Sequence, residues 1–181
     1  DSWFIRTTAV KDELVALNKT INWKPEATGT GRFGNWLENL VDWNLSRSRY
    51  WGTPLPIWRS ADENEEICIG SIAELKTRIE SSLSSDVLDE AEKAKLQAYL
   101  SKFDTAELDL HRPYVDDVVL VSDAGQKLYR EPDLIDVWFD SGAMPFAQWG
   151  LDQQKLAAGS DTPFNAAFEG AYPADFIAEG V

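Results

Sequence analysis

Three groups of residues in this chain have the types and spacing to do chemistry. The first is the pair Arg47 and Arg49, set in the stretch Leu45 to Trp58 with Tyr50, Trp51, Gly52, Pro54 and Pro56. The two prolines each remove a backbone donor and fix φ, which predicts an extended chain after Gly52. Gly52 allows a turn or a close backbone approach. Residues two apart on an extended chain point to the same side, so the two guanidiniums would form a pair of forks suited to phosphate or carboxylate. The same residues also fit a tryptophan-rich core strand whose arginines sit in structural ion pairs. The second group is Asp136-Val137-Trp138-Phe139-Asp140-Ser141-Gly142. Leu134 to Phe139 reads as a strand broken at Asp140-Ser141-Gly142, which puts Asp136, Trp138 and Asp140 on one face. Taken alone, it also reads as a core tryptophan before a plain turn. The third is Asp175 to Gly180, read as a buried strand with Glu179 and Gly180 at its carboxyl end, where open α/β sheets place ligands.

The elements that must position these groups follow from periodicity and punctuation. Trp3 to Thr8 reads as a strand, and Ala9 to Thr20 as a helix with Val10, Leu14 and Leu17 at helical spacing. Gly29-Thr30-Gly31 reads as a turn. Thr30 is then the N-cap of a helix carrying Trp36, Leu37, Leu40, Val41 and Trp43. Composition shifts at Arg59. An acidic turn over 60–66 precedes a strand at Ile67-Cys68-Ile69, a helix over 72–82 and a second helix starting at Ser84-Ser85-Asp86. Its apolar face is Leu88, Ala91, Leu96, Tyr99, Leu100 and Phe103, with Glu90, Glu92, Lys93 and Lys95 outside. Val118 to Val121 and Lys127 to Arg130, around Ser122 to Gly125, give a hairpin signal. Ala143 to Leu151 is apolar and reads as helix or core, Asp152 to Thr162 as a polar loop or short helix, and Pro173 ends any helix through Phe164, Phe168 and Tyr172.

Composition bounds what the chain can be. Its 181 residues are 44% hydrophobic and 12% aromatic, enough for one ordinary core or two small ones. Eight tryptophans point to flat pockets or an interface besides a core. The net charge of −14 provides no global basic field, so strong nucleic-acid binding by this chain alone is not expected. One cysteine, Cys68, and one histidine, His111, exclude an internal disulfide and a Cys/His zinc site, and both read as structural or surface residues. With no apolar run of spanning length and no signal peptide, the expectation is a soluble cytoplasmic protein with no membrane partner. Both ends fall in apolar, strand-like runs, so the chain reads as a piece excised from a longer protein.

Val41-Asp42-Trp43-Asn44-Leu45-Ser46-Arg47-Ser48-Arg49-Tyr50-Trp51-Gly52-Thr53-Pro54-Leu55-Pro56 resembles the W-x-x-S-R-x-R-Y-W-G-x-P-x-P signature of the class I aminoacyl-tRNA synthetases for branched aliphatic amino acids. The wording is closest to the isoleucine-specific members. Asp136 to Gly142 resembles the D-V-W-[FY]-D-S-G segment of the same family, and Pro173 to Gly180 its P-x-D-[FIL]-x-x-E-G strand. The resemblance covers residues 1–58 and 107–181 well and 59–106 poorly.

The resemblance implies an α/β fold: the second half of a Rossmann-type catalytic domain, carrying a small α+β insertion. It divides the chain into residues 1–58, returning from an editing insertion, 59–132, the α+β insertion, and 133–181, a truncated catalytic segment. Trp138 would wall the isoleucine pocket, Glu179 would hydrogen-bond the aminoacyl-adenylate, and Gly180 would let the backbone approach it. The substrates implied are isoleucine, ATP with Mg²⁺, and the cognate tRNA. No His-x-Gly-His and no Lys-Met-Ser-Lys-Ser occurs, so this piece lacks the cationic phosphate clamp and should not activate an amino acid by itself. No catalytic residue, including any for editing, is assigned within it. Some relatives carry a zinc knuckle in the insertion; the matching positions, near Ser60, Glu63, Ser122 and Ala124, hold no ligand here. Valyl and leucyl members share the scaffold and are the alternatives within the family. The alternative outside it is an independent acidic, tryptophan-rich module for peptide or carbohydrate, whose exposed tryptophans would line one groove.

Overall fold

The structure is a computed structural model, and it describes residues 2–150, 152, 155, 158 and 163–178. The chain divides into two compact units, Asp1–Ile135 and Asp136–Val181.

In the first unit, strand β1 (Phe4–Ile5) is short because Thr7–Val10 turns at once into a 3₁₀ helix ahead of α1 (Lys11–Asn18). The expected Thr30 cap does not form. Thr28–Phe33 is a stretch of π-helix that runs straight into α2 (Gly34–Glu38). Two glycines permit this. A Cβ on Gly29 would lie 2.0 Å from the Trp23 ring, and one on Gly34 would lie 2.6 Å from the Gly29 carbonyl. The buried Asn18 side chain closes the arrangement, donating to the Gly29 carbonyl at 2.9 Å and accepting from Trp23 Nε1 at 2.8 Å. Helix α2 ends at Glu38, so Trp43 falls instead in β2 (Trp43–Asn44), which pairs antiparallel with β1.

Strand β3 (Ser46–Arg47) follows, and after the proline-rich segment comes β4 (Ile57–Ser60), then β5 (Glu66–Cys68). Helix α3 (Ile72–Leu83) is N-capped by Ser71. Helix α4 (Glu90–Leu100) starts at Asp89 rather than at the expected 84–86, because Asp89 and Glu92 form a reciprocal capping box that satisfies two orphan N–H groups. Strands β6 (Leu120–Val121) and β7 (Lys127–Arg130) form the expected hairpin, with Gly125 at φ +82° in its turn. A four-stranded antiparallel sheet results, in the order β5-β4-β7-β6. Strand β8 (Leu134–Ile135) returns to pair antiparallel with β3.

The core lies between this sheet and helices α3 and α4. Trp58, Ile79, Leu96, Tyr99, Phe103, Val118, Leu120 and Leu128 all belong to it. Its polar atoms are matched: Trp58 Nε1 donates to the Val118 carbonyl at 2.7 Å, and Ser82 Oγ accepts from Val121 N at 2.9 Å. Lys127 Nζ donates to both oxygens of Glu92, at 2.6 and 2.7 Å, and this bond holds the Glu92 carboxyl below its ordinary value. The α4 face read from sequence is present, with Leu88, Leu96, Tyr99 and Phe103 buried. Leu128 is fully buried, so Leu128→Ala is expected to cost about 3 kcal/mol, the lost transfer energy plus a cavity. Hydrogen-exchange protection across β4 and β7 would fall accordingly.

Burial, with the nearby Asp109 carboxylate as a lesser cause, pushes the Tyr99 phenol up to about 12, and its hydroxyl donates to the Asp109 carbonyl at 2.9 Å. The folded value lies above the ordinary one, so this group stabilises the fold fully below about pH 10, and the contribution is lost as pH rises toward 12. Ultraviolet titration is expected to show one tyrosine ionising well after the others, and Tyr99→Phe should remove that late phase.

In the second unit, α5 (Val137–Ala147) is followed by α6 (Ala166–Ala171). Phe146, Phe164, Phe168 and Tyr172 stack together, with ring centroids 4.2 to 6.0 Å apart. Every strand pairing among the described residues of the chain is antiparallel.

Candidate functional site

The strand expected through Trp138 stops at Ile135. The Asp136 carboxylate accepts the Trp138 backbone N–H at 3.1 Å and N-caps α5, which turns the chain from strand to helix at that point. Asp140, Ser141 and Gly142 therefore lie inside a helix and make no break. Asp136, Trp138 and Asp140 do not share a face as alternation would have it, because two helical residues two apart are separated by about 200°. Asp136 is buried, while the Trp138 side chain begins the helix 68% exposed. Among the described residues 175–178, the strand expected near the carboxyl end does not form. Residues 175–178 carry no strand hydrogen bonding, and Phe176 and Ile177 are 84% and 71% exposed. A strand needs a neighbour's donors and acceptors, and none runs beside this segment among the described residues. Glu179 and Gly180 lie outside the described residues.

The arginine pair belongs to the first unit. Its extended geometry holds only as far as Arg47. There the Arg49 N–H bonds the Arg47 carbonyl at 3.1 Å, a three-residue turn centred on Ser48 that interrupts the alternation assumed for the two forks. Arg47 donates to the Asn44 and Ser46 carbonyls at 2.7 and 2.9 Å, and Arg49 Nη1 to the Ser48 carbonyl at 3.3 Å. After the turn, Gly52 sits at φ +148°, with Leu134 Cδ1 3.1 Å from where a Cβ would be.

This loop is held by residues the sequence did not single out as its partners. His111 stacks on Trp51, with centroids 4.8 Å apart and planes 17° from parallel. The Asp109 carboxylate accepts both the backbone N–H of His111 at 2.8 Å and its Nδ1–H at 2.9 Å, and these bonds hold the Asp109 carboxyl below its ordinary range. Arg112 donates through Nη1 to the Arg49 and Pro132 carbonyls, both at 2.8 Å, and through Nε to Asp116 at 3.1 Å. The backbones of Gly52 and Arg112 form an antiparallel bridge. Asp116 also accepts from the buried Arg130, whose guanidinium reaches the carbonyls of Glu131, Pro132 and Asp133. The strands entering and leaving the four-stranded sheet region are thus joined by two guanidiniums and one carboxylate.

Among the described residues, no three His, Cys, Asp or Glu side chains lie close enough to hold a metal, and Cys68 is exposed and unpaired. None of the described helices is long and apolar enough to cross a membrane.

Comparison with known families matches residues 1–181, the whole chain, to the tRNA synthetases class I (I, L, M and V). The chain belongs to this family. Among curated class I synthetases, it is 63% identical over 183 residues to a protein of Cytophaga hutchinsonii named isoleucine–tRNA ligase, covering 100% of this chain and 14% of that protein. A Bacteroides thetaiotaomicron protein of the same name is 55% identical over 186 residues, covering 100% of this chain and 15% of its own length. One from Thermobifida fusca, again of that name, is 45% identical over 188 residues, covering 99% and 15%. This synthetase chain therefore spans only about one-seventh of the length of the relatives it matches. Helices and strands are mixed in this stretch of the class I domain, and the comparisons lend no support to an independent peptide- or carbohydrate-binding module.

Proposed function

We propose that this chain is part of an isoleucine–tRNA ligase, a cytoplasmic enzyme that activates isoleucine with ATP and transfers it to its tRNA. The observation that carries this reading is identity of up to 63%, over the whole of this chain, with proteins of that name. In this reading, residues 1–58 return from the editing insertion, 59–132 form the α+β insertion, and 133–181 belong to the second half of a Rossmann-type catalytic domain.

Activation is in-line attack of the isoleucine carboxylate on the α-phosphate of ATP, and the protein's part in it is positioning and charge stabilisation. Mg²⁺ would accompany ATP, as the family resemblance implies. Trp138 would supply a flat, rigid wall against the branched side chain, a role its exposure at the start of α5 leaves open to it. Glu179 would accept hydrogen bonds from the aminoacyl-adenylate, and Gly180 would let it come close to the backbone. The phosphate-clamping motifs are not in this chain, so it would not activate an amino acid alone.

The test is amino-acid-dependent ATP–pyrophosphate exchange by the full-length parent. Isoleucine is expected to support it far better than leucine or valine. Trp138→Ala should raise the KM for isoleucine about tenfold, the equivalent of ~1.4 kcal/mol of lost contact, without a matching rise for ATP. Preference for valine or leucine would move the chain to another branch of the family.

A further inference from the structure

We propose that the cavity between α1 and the π-helix of the first unit is a binding site for a small zwitterionic amine, a free α-amino acid with an apolar side chain.

The cavity has a volume of about 320 Å³, near the lower end of the range of small-ligand sites. Three kinds of side chain line it. Val15, Ile21 and Trp23 give apolar surface, Lys19 gives one ammonium group, and Glu26 and Glu38 give two carboxylates. These three charged groups are exposed, and none enters a side-chain hydrogen bond or ion pair among the described residues. Elsewhere on this unit opposite charges pair off, as Lys76 does with Asp104, Lys95 with Asp117 and Lys127 with Glu92. Around the cavity both signs are left for a ligand.

The aromatic wall is set before a ligand arrives. Trp23 Nε1 is held by Asn18, its ring lies 5.1 Å from that of Phe33, and it packs where Gly29 lacks a Cβ. A fixed aromatic face loses little entropy on binding and attracts an ammonium group. Val15, Asn18 and Lys19 belong to the last turn of α1 and its cap, where the partial negative charge of the helix end adds to that attraction. The π-helix supplies Gly29 and Thr30 to the lining, and such irregular turns recur at functional sites.

The charges decide the class of ligand. A purely apolar guest would gain nothing from them, and a simple anion would meet two carboxylates. A molecule with an ammonium group, a carboxylate and an apolar body finds a partner for each part. Its ammonium meets Glu26 or Glu38, its carboxylate meets Lys19, and its body covers Val15, Ile21 and Trp23.

The experiment is calorimetric titration of the full-length parent, first saturated with a non-hydrolysable isoleucyl-adenylate analogue so that its reaction site is occupied. The probes are L-leucine, 3-methylbutylamine, which is leucine without its carboxylate, and 4-methylpentanoate, which is leucine without its ammonium group. Wild type should take up one equivalent of L-leucine, bind the amine more weakly and ignore the acid. Lys19→Gln should weaken leucine about fivefold and leave the amine unweakened, whereas Glu26→Gln combined with Glu38→Gln should weaken both by about fivefold or more. Trp23→Leu should weaken leucine about tenfold. Because Trp23 also packs on Phe33, Thr30→Phe at an exposed position serves as a second variant. It fills the cavity while keeping that packing, and should abolish the uptake. No leucine uptake by the wild-type parent would mean that the rest of the parent covers the cavity, and would overturn the proposal. So would equal uptake of all three probes, or leucine uptake unchanged both in the double glutamate variant and in Thr30→Phe. Uptake seen only without the analogue would place leucine in the reaction site and overturn it as well.

Discussion

Arg130→Met is expected to lower the local stability of the segment joining β7 to β8 by about 3 kcal/mol. The Arg130 side chain is 1% exposed, and its guanidinium serves the Asp116 carboxylate together with the carbonyls of Glu131, Pro132 and Asp133. Methionine fills similar volume but returns nothing to those acceptors. Removing one member of a buried charged pair costs roughly 3–5 kcal/mol, because the partner is left unmatched. The lower end applies, since the Asp116 carboxylate is 35% exposed and keeps Arg112. Native-state hydrogen exchange in the full-length parent should show protection of the Leu128 to Ile135 amides reduced roughly 100-fold, with distant segments unaffected. Asp116→Asn keeps acceptor and shape, so its effect should be smaller. Protection unchanged in Arg130→Met would mean that the network is incidental.

Glu179→Ala in the full-length parent is expected to reduce isoleucine-dependent ATP–pyrophosphate exchange about 100-fold. A hydrogen bond to a charged group contributes roughly 1.5–3 kcal/mol, and one placed on the adenylate acts where the reacting atoms must be held. The loss should appear mainly in kcat/KM, with tRNA binding intact. Glu179→Gln, which retains an acceptor, should recover part of the activity. Exchange at the wild-type rate in Glu179→Ala would remove the role assigned to this carboxylate.

The sequence was most readable where local and tertiary preferences agree. Helix α3 was expected over 72–82 and runs over Ile72–Leu83, because Ser71 caps it and Leu75 and Ile79 sit at core spacing. The β6–β7 hairpin follows from two apolar runs around a glycine turn. Readings failed where a single polar side chain or a missing one decides the geometry. Leu134 to Phe139 reads as a strand because the run is apolar; the Asp136 carboxylate bond to the Trp138 N–H instead caps a helix there. The start of α4 is expected at Ser84-Ser85-Asp86, but the reciprocal capping box of Asp89 and Glu92 sets it three residues later. The π-helix before α2 depends on two glycines whose missing Cβ atoms admit Trp23 and a carbonyl, a tertiary fact that a Gly-Thr-Gly turn signal conceals.

The candidate site divides in the same way. Family membership was legible from the Arg47 to Pro56 signature, because a long motif of rare residues is seldom met by chance. The spatial arrangement was not. The turn at Ser48 comes from one backbone hydrogen bond and undoes the simple same-side argument for Arg47 and Arg49. The stacking of His111 on Trp51 joins residues sixty apart in the chain and leaves no periodic trace.

The most direct test of the account is a crystal structure of the full-length parent with a non-hydrolysable isoleucyl-adenylate analogue. The account predicts the Trp138 indole in contact with the isoleucine side chain, at about 4 Å, and the Glu179 carboxylate within hydrogen-bond distance of the adenylate, about 3 Å. An analogue bound with either side chain turned away from it would contradict the account.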